Sequence, residues 1–147
     1  MSEKIIIFDA STLITIAMNG LLEELRMLKK IFKGKFIIPN EVKYEAIDRP
    51  MKIKRFEQEA MKLQNLLEEK VIELPASLSI DSAKISKETE ILMSIANTTF
   101  EGNGKSIHLI DLGETACLVL SKILTEKKMP NVLAVDERTT RMLCEKP

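Results

Sequence analysis

Histidine, cysteine, tryptophan and net charge are all scarce in this sequence. One histidine, His108, and two cysteines, Cys117 and Cys144, are spread over 147 residues, with no tryptophan. Neither cysteine has a CxxC-type neighbour, which argues against a zinc centre and leaves two buried thiols as the expectation. His108 stands in the apolar run SIHLID without a serine or cysteine motif, so it reads as a core or edge-strand histidine and not as part of a nucleophilic triad. Five phenylalanines and one tyrosine do not make an aromatic stacking platform for bases. Glycine is missing from FDAST after the first apolar run, where a dinucleotide-binding turn would need it. No apolar stretch approaches the length of a membrane span. The N-terminus MSEKIIIFDAST lacks the basic and long apolar regions of a signal peptide, so a soluble cytoplasmic protein is expected. The 22 basic and 22 acidic residues cancel, and composition alone carries no nucleic-acid signal. Two local basic clusters stand out: Lys29, Lys30, Lys33 and Lys35, then Lys52, Lys54 and Arg55. The plainest reading of each is a solvated helix face.

What is present is an ordinary globular composition, 45% hydrophobic and 30% charged, over a length that suits one domain spanning residues 1–147. Four short apolar runs read as buried strands, at 4–8, 35–39, 106–110 and 131–135, with a shorter fifth at 71–75. Their continuous rather than alternating character predicts parallel strands covered on both faces. Helical patterns lie between them. Residues 21–32 place Leu21, Leu25, Leu28 and Phe32 on one stripe, and the segment 51–70 does the same with Phe56, Ala60, Leu63 and Leu67. A helix is expected at about 81–96, and 114–124 is apolar enough to be central. The glycine-containing stretch NTTFEGNGKS between them reads as a loop. Strands alternating with helices predict a three-layer α/β/α sandwich around a central parallel sheet of four to five strands.

Ligands of such sheets gather beyond the carboxyl ends of the strands. Asp9, Asp111 and Asp136 each end a strand. A single aspartate there is ordinarily the cap of the next helix; a set at several strand ends points to a site. After the second strand, PNEVKYEAI has Pro39 ending the strand and Asn40 as N-cap, with Glu41 and Glu45 on one face of a short helix. Glu41, next to the cap, gains from the helix dipole and has a structural reason to be there. Glu45, a turn further on where the dipole benefit has faded, lacks such a local reason. In DLGETA, Asp111 and Glu114 form a capping-box-like pair at the start of the central helix. The last strand runs into VDERTTR, bringing Asp136, Glu137, Arg138 and Arg141.

These motifs, in this order, resemble the PIN-domain nucleases, which include the VapC-type toxins. Asp9-Ala10-Ser11 matches the family's Asp-x-Ser/Thr. Pro39, Val42 and Glu45 match Pro-x-x-Val-x-x-Glu. Gly113, Glu114 and Ala116 match a Gly-Glu opening of a small-residue helix, and Asp136, Glu137 and Arg141 match the doubled acid followed by an arginine. Glu114 and Glu137 stand where many members have Asp. The resemblance implies a PIN-like fold and a metal-dependent endoribonuclease. Asp9, Glu45, Glu114 and Asp136 would then be catalytic, and with Glu137 would bind Mg²⁺ or Mn²⁺. All are hard oxygen ligands suited to those ions. Ser11 would support Asp9 or touch phosphate, as would Arg138 and Arg141, one of which is expected to pair with Asp136 or Glu137. The implied partners are an RNA substrate, an antitoxin protein and a second copy in a homodimer, with no membrane. The rival reading is a catalytically inactive PIN-like module that binds RNA or protein. A phosphatase of the haloacid-dehalogenase type is disfavoured by Ser11 in place of a second aspartate.

Overall fold

The computed structural model describes residues 3–99 and 112–135, apart from the side chains of 96–99. His108, Asp111, Asp136, Glu137, Arg138, Arg141 and Cys144, and the strand and part of the loop expected around 97–110, therefore lie outside the described residues.

Three strands form one parallel sheet: β1 (Ile5–Phe8), β2 (Lys35–Ile37) and β3 (Asn131–Ala134), in the order β2-β1-β3. The first strand of the chain is thus the middle one. Ile5, Ile6 and Ile7 pair with Lys35, Phe36 and Ile37 on one side, and Ile5 through Phe8 pair with Asn131 through Ala134 on the other. Isoleucine suits this position, since its branched Cβ packs well on a pleated surface covered on both sides. Ile5, Ile7, Phe8, Phe36 and Ile37 are all buried. The Phe8 and Phe36 rings meet edge to face at 5.2 Å between centroids, a favourable aromatic geometry.

The fold is α/β, but the sheet has three strands among the described residues rather than four or five. Residues 71–75 contribute a single bridge. Glu73 N–H donates to the Phe36 carbonyl at 2.8 Å and Ile38 N–H to the Glu73 carbonyl at 2.9 Å. The pairing stops there on both sides. Val71 and Ile72 donate instead to the Leu66 carbonyl that closes the preceding helix, and Pro75, with no N–H, opens a 3₁₀ turn at Pro75–Leu78.

Helices pack around this sheet. α1 (Ala10–Met18) and α2 (Leu22–Phe32) link β1 to β2. In α2 the inward face is Leu22 and Leu25, with Phe32 half-buried and stacked on Phe36. The expected stripe is displaced: Leu21 precedes the first turn, and Leu28 faces solvent. After β2 the chain runs helically through α3 (Asn40–Lys43), a π-helical turn at Tyr44–Asp48 and the short α4 (Arg49–Met51). Pro39, not Asn40, is the residue at the cap. Its fixed φ of −63° and extended ψ turn the chain, its carbonyl accepts from both Val42 and Lys43, and Asn40 is left exposed. α5 (Glu57–Glu68) buries Ala60, Leu63 and Leu66, with Leu67 only partly covered. α6 (Ser82–Thr99) occupies the expected position, its start fixed by Asp81 accepting from Ala83 N–H at 2.9 Å. α7 (Leu112–Glu126) is the central helix anticipated, with Gly113 through Cys117, Val119, Leu120, Ile123 and Leu124 buried. Among the described residues no helix is long and apolar enough to cross a membrane.

The entry to β2 leaves no room for a side chain at Gly34. A Cβ there would sit 2.3 Å from the Lys4 carbonyl oxygen and 2.4 Å from the Phe32 ring. The backbone cannot retreat, because Lys35 N–H donates to that same carbonyl at 3.0 Å. Gly34→Ala should therefore destabilise the fold by about 1–3 kcal/mol, the usual range for overpacking. Lys30→Ala on the exposed side of α2 should stay within about 0.5 kcal/mol. Urea denaturation of the two variants checks the difference.

Candidate functional site

The site is built from Asp9 outward. β1 ends at Phe8, but its pairing with β3 continues for one more bond, Asp9 N–H to the Ala134 carbonyl at 3.3 Å. Asp9 is held at the carboxyl edge of the middle strand with 1% of its surface exposed. A carboxylate so buried needs partners, and the next turn supplies them. Thr12 N–H donates to Oδ1 at 2.9 Å and the Ser11 hydroxyl to Oδ2 at 3.1 Å. Asp9 is thus the N-cap of α1, and Ser11 is the hydrogen-bond donor to Asp9 that the sequence suggested. Each oxygen retains acceptor capacity beyond these bonds.

The second acid reaches the site through a widened helical turn. Pro50 lies within the helical run 40–51. Its missing N–H and its ring are both incompatible with a regular α-helical bond to the Ala46 carbonyl four residues back. The preceding turn opens accordingly, and Arg49 N–H bonds to Tyr44, five residues back. Such π-turns re-aim the side chains that follow. Glu41 and Glu45, expected on one face, contact different elements. Glu41 Oε2 accepts from the Ser86 hydroxyl of α6 at 2.7 Å, and its Oε1 is buried without a partner. Glu45 Oε1 accepts from the backbone N–H of Gly113, in the first turn of α7, at 3.1 Å. Both departures have one cause: the partners come from elements 45 and 68 residues away, so local spacing could not reveal them. Glu45 has a structural reason after all. It supplies a carboxylate to the N–H-rich start of a long helix, where negative charge is favoured.

Gly113 is what permits that approach. A Cβ at 113 would lie 2.7 Å from Glu45 Oε2 and 3.0 Å from its carboxyl carbon. The next residue, Glu114, is buried at 8% exposure. α7 begins beside the edge that carries Asp9: Cys117, one turn further along, places its Sγ 3.6 Å from the Phe8 carbonyl oxygen, and one turn is about 5.4 Å of rise. The structure therefore brings Asp9, Glu45 and Glu114 toward one end of the sheet. Asp136 and Glu137 follow β3 directly but lie outside the described residues, as do Arg138 and Arg141. Among the described residues, no group of three histidine, cysteine or acidic side chains is disposed to hold a metal ion. The donor type suits Mg²⁺ or Mn²⁺, but the described carboxylates alone do not complete a ligand set.

A groove adjoins Glu45. It has a volume of about 320 Å³ and runs between α1, the π-turn and α5. Its walls include Ile14, Met18, Ile53 and Phe56, with Arg49 and Glu59 among its few charged groups. Sequence reading passed over it because its walls come from three separated segments. Comparison with protein-family models, with curated proteins and with solved structures gives no match.

The fit of Glu45 against Gly113 is testable as a pairwise coupling. Gly113→Ala should be destabilising in the wild-type background and much less so with Glu45→Ala, because the clash then has no second partner. A double-mutant cycle on denaturation free energies should give a coupling on the order of 1 kcal/mol or more. Purely additive effects would mean that the two groups do not meet in solution.

Proposed function

We propose that this protein is a metal-dependent phosphodiesterase of the PIN-like type, acting on RNA. The observation that carries the reading is Asp9: a carboxylate buried at the carboxyl edge of the central strand, near the start of α7, where Glu45 accepts from Gly113 N–H and Glu114 is the next residue. In sequence Asp136 and Glu137 come just after β3, the neighbour of β1, and the proposal takes them as the fourth and fifth acids. The finer architecture proposed with this function is a three-layer PIN-like sandwich.

The roles follow from the contacts. Asp9 is oriented by Thr12 N–H and Ser11, so its free lone pairs are aimed without further side-chain motion. Glu45 is oriented by the Gly113 N–H, which donates to its Oε1. Glu114 stands next to that bond. Bound Mg²⁺ or Mn²⁺ would supply charge neutralisation for the phosphodiester and a lowered water pKa. On this reading Asp136 and Glu137 would complete the set that Asp9, Glu45 and Glu114 begin, and carboxylates gathered in that way would repel one another and so favour a cation. Ser11 is exposed and can reach a phosphate as well as Asp9. Arg138 and Arg141 are proposed phosphate contacts. An antitoxin partner and a homodimer belong to the same proposal.

One observation favours a second reading. Oxygens of Asp9 and Glu45 already serve as caps of α1 and α7, and the described acids do not by themselves make a metal site. A module that binds RNA or protein without cutting it would keep these carboxylates for structural reasons alone.

Metal linkage separates the two. Mn²⁺ should raise the melting temperature, since an ion that binds only the folded state stabilises it by mass action. Asp9→Asn keeps an oxygen for the Thr12 N–H and should abolish that response while leaving the apo fold nearly intact. Cleavage of a labelled RNA should require Mn²⁺ or Mg²⁺ and stop with EDTA. Glu45→Gln should lower the rate by about 100-fold or more, roughly 2.7 kcal/mol on the barrier. Glu41→Gln, whose partner is Ser86, should cost less than about tenfold, or roughly 1.4 kcal/mol. Tight metal-independent RNA binding without cleavage, or the reverse ranking of the glutamates, would overturn the assignment.

A further inference from the structure

The groove beside Glu45 has features that the proposed phosphodiester chemistry does not use. Its volume falls in the range of small-ligand pockets, and its walls are mainly apolar with a few placed polar groups, as such pockets are. Two of its charged residues are uncommitted: neither Arg49 nor Glu59 makes an ion pair or side-chain hydrogen bond among the described residues. Glu59 is half-buried against the apolar wall. Arg49 lines the groove, and Lys52, Lys54 and Arg55, which flank the wall residues Ile53 and Phe56 in sequence, are all exposed. The Arg55 guanidinium lies 4.8 Å over the ring of the wall residue Phe56.

This combination points to one class of ligand. Arg49 in the groove and the exposed cations next to its wall residues suit a polyanion and oppose a basic peptide. The apolar wall with an aromatic edge takes a flat ring, which single-stranded RNA offers when a base is splayed out of its stack. The half-buried carboxylate can only accept hydrogen bonds, so it selects rings with N–H donors on their edge. Guanine offers two adjacent donors there, adenine and cytosine an exocyclic amino group, and uracil has no amino group. We infer that the groove is a nucleobase subsite next to the reacting acids, with Glu59 reading a guanine edge and Arg49 with the 52–55 cations holding the flanking phosphates. The identity of the ligand as an RNA nucleotide rests on the nuclease reading given above. Glu59 is on this account a specificity residue and takes no part in the hydrolysis.

The test uses the full chain, first without divalent metal. Titration with guanosine 5′-monophosphate, followed by the methyl resonances of Met18 and Ile53, should give saturable shifts. Uridine 5′-monophosphate should bind at least about tenfold more weakly, the lower end of what one good pair of base contacts discriminates. Glu59→Gln should remove that difference, and Lys52→Glu with Arg55→Glu should weaken both nucleotides together. Absence of saturable shifts at these methyls, equal affinity for the two nucleotides, or occupancy by a basic apolar peptide in preference to either would overturn the inference. A second arm maps cut sites on an RNA in Mn²⁺. Metal-dependent cleavage with no guanosine preference, unchanged by Glu59→Gln, would sink the subsite and spare the nuclease. Selective guanosine nucleotide binding with no cleavage would do the opposite.

Discussion

Everything at the carboxyl edge of this sheet depends on how a buried negative charge is satisfied. Asp9 has almost no water contact, and an unpaired carboxylate in that position would be prohibitive. The chain answers by turning immediately into α1, so that Thr12 N–H and the Ser11 hydroxyl occupy one lone pair on each oxygen. The helix start, the small residues that follow the strand, and the orientation of the carboxylate are one local solution. The same logic recurs at α7, where Glu45 arrives from another part of the chain to cap the first turn. Both helix N-termini near the site are capped by acids rather than by serine or threonine. Each therefore concentrates charge at the place where a cation or a phosphate group would come.

Much of this was legible in the sequence because it is local. The apolar runs at β1 and β3 end where the residue type changes, and α5, α6 and α7 lie close to where the periodicity puts them. Ser11 and Asp9 are two residues apart, so their hydrogen bond follows from spacing. What periodicity missed was long-range or backbone-driven. In α2 the expected members Leu25 and Phe32 do face inward, but Leu22 replaces Leu21 because the helix begins one residue later, and Leu28 is left exposed. The π-turn at Tyr44–Asp48, just upstream of Pro50, is a backbone feature that apolar spacing does not announce. The bonds to Ser86 and Gly113 cross between elements, and no pattern within α3 announces them. The 71–75 segment has the composition of a strand but turns away after one bridge, since the Leu66 carbonyl captures its first N–H groups.

Pro50 also stands between the proposed catalytic site and the adjoining groove. The π-turn before it carries Glu45, and Pro50 itself lines the groove together with Ile53 and Phe56. A single residue thus borders both the turn that carries a proposed catalytic acid and one wall of the adjoining groove. The cationic residues that follow it need no fixed geometry to act, because attraction between exposed cations and a polyanion is long-ranged and weakly directional, though screened by salt.

The sheet order has a consequence for how the protein comes to exist. The middle strand, β1, is made first, but one of its two partners is β3, so residue 5 must find residue 131. β1 and β2 can pair early, across a short helical connection. The other edge of β1 then presents unpaired backbone groups until the C-terminal strand has been synthesised. Contacts of such high sequence separation slow folding, since chain closure precedes any gain from pairing. During that interval IIIF, the most apolar of the described strands, is open to other strands. The early life of this protein is the period in which it is most exposed to misassembly.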